Sequence, residues 1–222
     1  MESAPYPKTR GADSSVAEMK TACPGETVKR CLIVVPIVHT LEDLGSQRGS
    51  VVRESLRTGG RTALKKKREA IRELWQRIER YIEGLPLRWQ DVRIFQDALP
   101  VSGREKEIVT ELAAGGSLNH QLILKLLDRG AILMGTESPE LLLAEYEMTK
   151  RVLASHGRKI RSSRDKEQGD PILKRRDQFI ADRINNTLGS GETGILFLGL
   201  LHSVEPFLED DIEVVRPTLP KK

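Results

Sequence analysis

Short, continuously apolar runs alternate along this chain with longer segments whose apolar residues recur every three or four positions. From Cys31 to Val38 the run CLIVVPIV is apolar throughout and rich in β-branched residues. That composition predicts a strand covered on both faces, as in a parallel sheet with helices above and below it. Pro36 has no amide hydrogen to give a sheet ladder, so the strand is expected to fray or bulge just before His39. Further strands are predicted at 91–96, carrying Val92, Ile94 and Phe95, at 131–134 and at 194–199, with an edge strand at 212–215.

Helical periodicity fills the intervals. Over 64–83, Ile71, Leu74, Trp75, Ile78 and Ile82 make one apolar stripe on an otherwise charged helix, which Gly84 and Pro86 stop. Two helices at 105–114 and 117–129 are separated by Gly115-Gly116, with Ser117 as the amino-terminal cap of the second. Pro139 stands at the first position of a helix over 139–154, and another is predicted over 172–188. Residues 40–62, with Gly45, Gly49, Gly59 and Gly60, read as a long excursion holding a short helix near 51–56. Residues 155–170 read as a basic surface loop. Alternating strands and helices predict an α/β fold, a mainly parallel β-sheet flanked by helices in a single domain spanning 30–216. Residues 1–29, rich in Pro, Ser, Thr and Gly, are expected to be a flexible, disordered tail, and 217–222 a carboxyl-terminal tail.

Composition narrows the class. In 222 residues, 31% charged and 38% hydrophobic, no apolar run reaches the roughly 18 residues that cross a bilayer, so no membrane span is expected. The first twenty residues lack the basic-then-apolar order of a secretory signal, which points to the cytoplasm. Two cysteines cannot build a disulfide framework. The net charge of +4 raises the question of nucleic acid, yet the basic residues fall in two bursts, Lys65-Lys66-Lys67-Arg68 and the stretch from Arg158 to Lys166. Aromatic residues are 4% of the chain and none interleaves with the second burst, so base stacking has no platform and nucleic acid is disfavoured as a partner. Oligomeric state stays open.

In open parallel sheets, sites form beyond the carboxyl ends of the strands. There the chain places His39 after the first strand, Asp97 after the second, Glu137 after the third and His202 after the fourth, with Glu42 three residues past His39. Two imidazoles and carboxylates suit either of two chemistries: binding a divalent transition metal such as zinc, manganese or iron, or general acid/base work without one. For a metal, the candidate ligands are His39, His202 and Glu42; for a general base, Glu42 or Glu137. The compact HExxH signature is absent, so any such site is assembled from distant segments.

Pro36-Ile37-Val38-His39, the Arg-Asp helix from Arg176 to Ile184, and Gly199-Leu200-Leu201-His202 together resemble the TraB/Tiki-type superfamily, which includes erythromycin-esterase-like and ChaN-like proteins. The resemblance implies an α/β fold with the two histidine-ended strands facing one crevice. For some relatives it implies hydrolysis, with or without metal, and for the ChaN-like proteins haem binding. It makes His39 and His202 ligands or acid/base residues, and Arg176 a residue steadying the site or stabilising negative charge. Two readings follow: a hydrolase, metal-assisted, acting on a small-molecule or peptide substrate, and a non-catalytic protein holding haem, a metal or an anionic ligand in the same crevice.

Overall fold

Continuously apolar runs, buried on both faces, build the sheet. In the computed structural model, which describes residues 29–37, 48–154 and 163–217, the strands are β1 (Arg30–Ile37), β2 (Val92–Gln96), β3 (Ile132–Met134), β4 (Thr193–Gly199) and β5 (Ile212–Val215). The helices are α1 (Arg48–Glu83), α2 (Glu105–Ala114), α3 (Leu118–Asp128), α4 (Pro139–Ala154) and α5 (Ser163–Thr187). All strand pairs are parallel, in the order β3-β2-β4-β1-β5. The α/β sheet expected from the sequence is therefore the fold, and β5 is an edge strand. The two strands that lead toward the histidines are neighbours, in a register that puts Ile37 opposite Gly199. Pro36 sits within that ladder, opposite Leu198.

Each strand divides its side chains between two cores, as the two-residue period requires. Ile33, Val35 and Ile37 of β1, Val92 and Ile94 of β2, and Ile195 and Phe197 of β4 meet Trp75, Ile78 and Ile82 of α1, Val109 of α2 and Leu122, Ile123 and Leu126 of α3. On the opposite face Leu32, Val34, Phe95, Leu196 and Leu198 meet Ile180, Ala181 and Ile184 of α5. Burial of both faces is the main stabilising term, at roughly 25 cal/mol per Å² of apolar surface. Ser117 caps α3, its hydroxyl accepting from the His120 amide at 3.4 Å.

Two expectations are corrected. The excursion predicted over 40–62 is helical from Arg48 onward, continuous with the helix predicted from 64. The basic loop predicted over 155–170 is helical from Ser163, so α5 begins well before 172. Gly49, Gly59 and Gly60 lie within α1 and Pro171 within α5. Each residue type weakens a helix by a finite amount, about 1 kcal/mol for glycine and about 3 kcal/mol for proline, which good helix formers and packing around it can outweigh. The tail over 1–28, residues 155–162 of the expected basic loop, and residues 218–222 lie outside the described residues. Among the described residues, no helix is long and apolar enough to cross a membrane.

Candidate functional site

The carboxyl ends of β2, β3 and β4 converge on the face covered by α5. After β2 and β3 the two loops continue the pairing for one further step: Thr136 and Glu137 amides both donate to the Leu99 carbonyl at 3.0 Å, and the Val101 amide donates to the Glu137 carbonyl at 2.9 Å. Gly135 permits this approach, because a Cβ there would lie 2.8 Å from Val101 Cα. Asp97 is fixed from both sides. Its amide donates to the Phe197 carbonyl at 2.9 Å, and its Oδ2 accepts from the Gly199 amide at 2.9 Å. The carboxylate thus takes the place a strand carbonyl would have at the end of β4.

Arg176 binds these acids together. On α5 it continues the buried stripe of Ile180 and Ile184 one turn toward the amino terminus, which turns a guanidinium toward the sheet. Its Nε donates to Glu137 Oε2 at 3.1 Å, its Nη2 to Glu137 Oε1 at 2.5 Å and to Asp97 Oδ1 at 2.9 Å, and its Nη1 to Glu145 Oε2 at 2.6 Å. The side chains of Arg176, Asp97 and Glu137 are 5%, 2% and 0% exposed, so these ion pairs work at low local dielectric. Glu145, on α4, is the solvent-facing member.

His202 closes the cluster. The turn Gly199-Leu200-Leu201-His202, held by the His202 amide donating to the Gly199 carbonyl at 3.1 Å, exposes both leucines and returns the imidazole to α5. There Nδ1 lies 2.6 Å from Asp177 Oδ1, while the Ser203 amide donates to Asp177 Oδ2 at 3.1 Å. Because an ionised carboxylate only accepts, this contact puts a proton on Nδ1. Nε2 then faces Asp97 Oδ1 at 3.5 Å. Burial opposes a charge on His202, but the Asp177 hydrogen bond and the charge of Asp97 outweigh it and hold the imidazole above the ordinary histidine value. Burial pushes Glu137 up, and Arg176 offsets only part of that rise. Burial also works against the Arg176 charge, yet Glu137, Glu145 and Asp97 hold it above the ordinary arginine value.

Of the residues named from sequence, Glu137, His202 and Arg176 come together, and Asp97 joins them. His39 and Glu42 lie outside the described residues. Asp97, Glu137 and His202 each offer a ligand atom, all within 4.8 Å of one another, so these three can hold a metal ion. Asp177 was missed by sequence reasoning, though a signal existed: Arg176 and Asp177 both fall on the stripe that continues through Ile180, Ala181 and Ile184, and charges on a buried stripe need partners. Gln96 and Asn119, buried beneath Asp97 on the other face of the sheet, were missed as well. Comparison with protein-family models finds no matching family, and neither curated proteins nor solved structures give a match.

Proposed function

We propose that the chain is a hydrolase, assisted by a divalent metal, in which His202 carries the proton. One observation supports this most: Asp177 holds His202 through Nδ1, leaving Nε2 turned toward Asp97 and Glu137. A histidine oriented in this way serves equally as a general base and as a metal ligand, since both roles use the free nitrogen while a carboxylate fixes the other.

The donor set fits a divalent transition ion. A pair of carboxylates suits a divalent ion such as manganese, and zinc and iron also take carboxylate oxygens. Three carboxylates, Asp97, Glu137 and Glu145, meet the guanidinium of Arg176, and a fourth, Asp177, meets His202, so carboxylates outnumber the basic groups of the cluster. Asp97 and Glu137 would hold the ion, which would supply Lewis acidity to a carbonyl or phosphoryl oxygen, with His202 Nε2 left unligated beside it. His202 Nε2 accepts a proton from the attacking water and returns it to the leaving group. Asp177 keeps the imidazole in one orientation and stabilises its charged form. Arg176, with Nε, Nη1 and Nη2 all given to carboxylates, holds Glu137 and Asp97 in place rather than meeting an anionic substrate. The TraB/Tiki resemblance agrees with this reading, since Gly199-Leu200-Leu201-His202 and Arg176-Asp177 are its most specific parts and meet at one point.

The test is a panel of ester, peptide and phosphoester substrates with the full chain loaded with zinc, manganese or iron. Turnover is expected, lost in His202→Ala and in Glu137→Gln, with bound metal lost in Glu137→Gln and kept in His202→Ala. Metal retained without turnover supports the binding-protein reading instead. Neither turnover nor stoichiometric metal overturns both.

A further inference from the structure

The peptide plane joining Asp97 to Ala98 is gripped at both ends. Its carbonyl oxygen accepts from Gln96 Nε2 at 2.9 Å, and its amide, the Ala98 N–H, points to Glu137 Oε1 at 3.4 Å. Ala98 has φ +63°, a left-handed conformation that an alanine adopts only where the surroundings enforce it. Gln96 is the enforcing group on one side of the sheet. Its side chain folds back onto the carbonyl of its own neighbour, while its Oε1 accepts from Asn119 Nδ2 at 2.7 Å. Asn119 is fully buried near the start of α3, and its Oδ1 makes no hydrogen bond among the described residues, so contact with Gln96 sets its amide. The Gln96 backbone amide donates to Thr136 Oγ1 at 3.0 Å, one residue before Glu137. A single buried glutamine therefore touches both loops that carry the site's carboxylates.

No apolar residue could do the same, because the hydrogen bonds to the Asp97 carbonyl and from the Asn119 amide would both be lost. With the plane fixed, the positive end of its dipole faces the same Glu137 oxygen, Oε1, that Arg176 Nη2 meets. We infer that Gln96, backed by Asn119, is a positioning residue: by fixing the Asp97–Ala98 peptide plane it aims the Ala98 amide at Glu137 and sets the spacing at which Arg176 bridges Asp97 and Glu137. This rests on the reading of those two carboxylates as the working acids of the site.

Amide exchange and the arginine Nε–H signals of the full chain, followed by nitrogen-15 NMR, test it without turnover. In the wild type the Ala98 amide is protected and shows the strong intraresidue Hα–HN contact of a positive φ. Gln96→Met keeps the bulk and removes both polar groups. In that variant Ala98 exchange accelerates about tenfold or more, the scale of one lost hydrogen bond. The Arg176 Nε–H signal shifts, while that of Arg93, paired with Glu192 at the other end of β2, stays in place. Asn119→Ala removes only the backing and gives the same pattern at smaller size. A merely structural glutamine instead speeds exchange throughout the sheet and spares the difference between Arg176 and Arg93; that result overturns the inference. So does a folded Gln96→Met with Ala98 and Arg176 unchanged. If Gln96→Met does not fold, an unprotected Ala98 amide in the wild type, or an Asn119→Ala protein indistinguishable from it, overturns it. Absent hydrolysis with Ala98 and Arg176 behaving as expected counts against the proposed function alone.

Discussion

At the scale of single residues, the decisive contact is the one between Asp177 and His202. Asp177 raises the affinity of the imidazole for its second proton, so Asp177→Asn lowers the His202 pKa, measured by imidazole NMR titration of metal-free protein. If His202 carries the proton in hydrolysis, the same change cuts kcat by about 10²- to 10⁴-fold, the usual range for a misdirected acid/base group. An unchanged titration removes Asp177 from the site. Arg176 gives a second prediction. Replacing it with Met leaves Glu137 and Asp97 buried without their cation, which costs about 3–5 kcal/mol in urea unfolding. Lys does not restore the loss, because one ammonium cannot reproduce the fork that spans three carboxylates. His202, Glu137 and Arg176 were legible because strand ends and a short motif singled them out. Gln96 and Asn119 were not, and Asp177 only as a charge on a buried stripe, since their parts depend on which way a side chain faces once distant segments meet.

At the scale of elements, apolar runs revealed every strand and the Gly115-Gly116 break revealed the join between α2 and α3. Helix starts were harder. Glycines near 59 and proline at 171 are local signals, whereas α1 and α5 pass through them because a helix is stabilised along its whole length. The loops after β2 and β3 behave as one element, zipped by three backbone hydrogen bonds through Leu99 and Val101. Gly135→Ala tests that unit. The new Cβ meets Val101 Cα and Glu105 Oε1 at 2.8 Å, and the backbone contact cannot be relieved by a side-chain rotation. Destabilisation of about 1–3 kcal/mol is expected, as for other overpacked sites, with Glu137 displaced from Arg176. A stability equal to that of the parent contradicts the zipped geometry.

For the molecule as a whole, pH sets stability through groups whose proton affinity changes on folding. His202 binds its proton more tightly in the fold than its ordinary value of 6.5, so its contribution is fully present below that pH and is lost as pH rises through the raised value. Glu137 acts in the same direction from its ordinary 4.5 upward. Glu192, held down by Arg93, acts oppositely, its contribution disappearing as pH falls below 4.5. Melting temperature is therefore expected to peak in mildly acidic buffer and to decline above about pH 6.5, and His202→Gln should flatten that decline. A flat wild-type profile contradicts the burial of His202 as a cation. The parallel sheet was legible from alternating elements, but its strand order was not: nothing local in Thr193–Gly199 announces that β4 slides between β1 and β2. That late insertion governs how the protein is made. While the ribosome is still short of Thr193, β1 and β2 have no partner on the sides that β4 will cover, and such bare edges invite pairing with other nascent chains. A chain stopped at Thr187 has α1 to α5 but no continuous sheet, so it should aggregate, and yield of the full chain should improve where synthesis is slowed or edge-shielding chaperones are abundant.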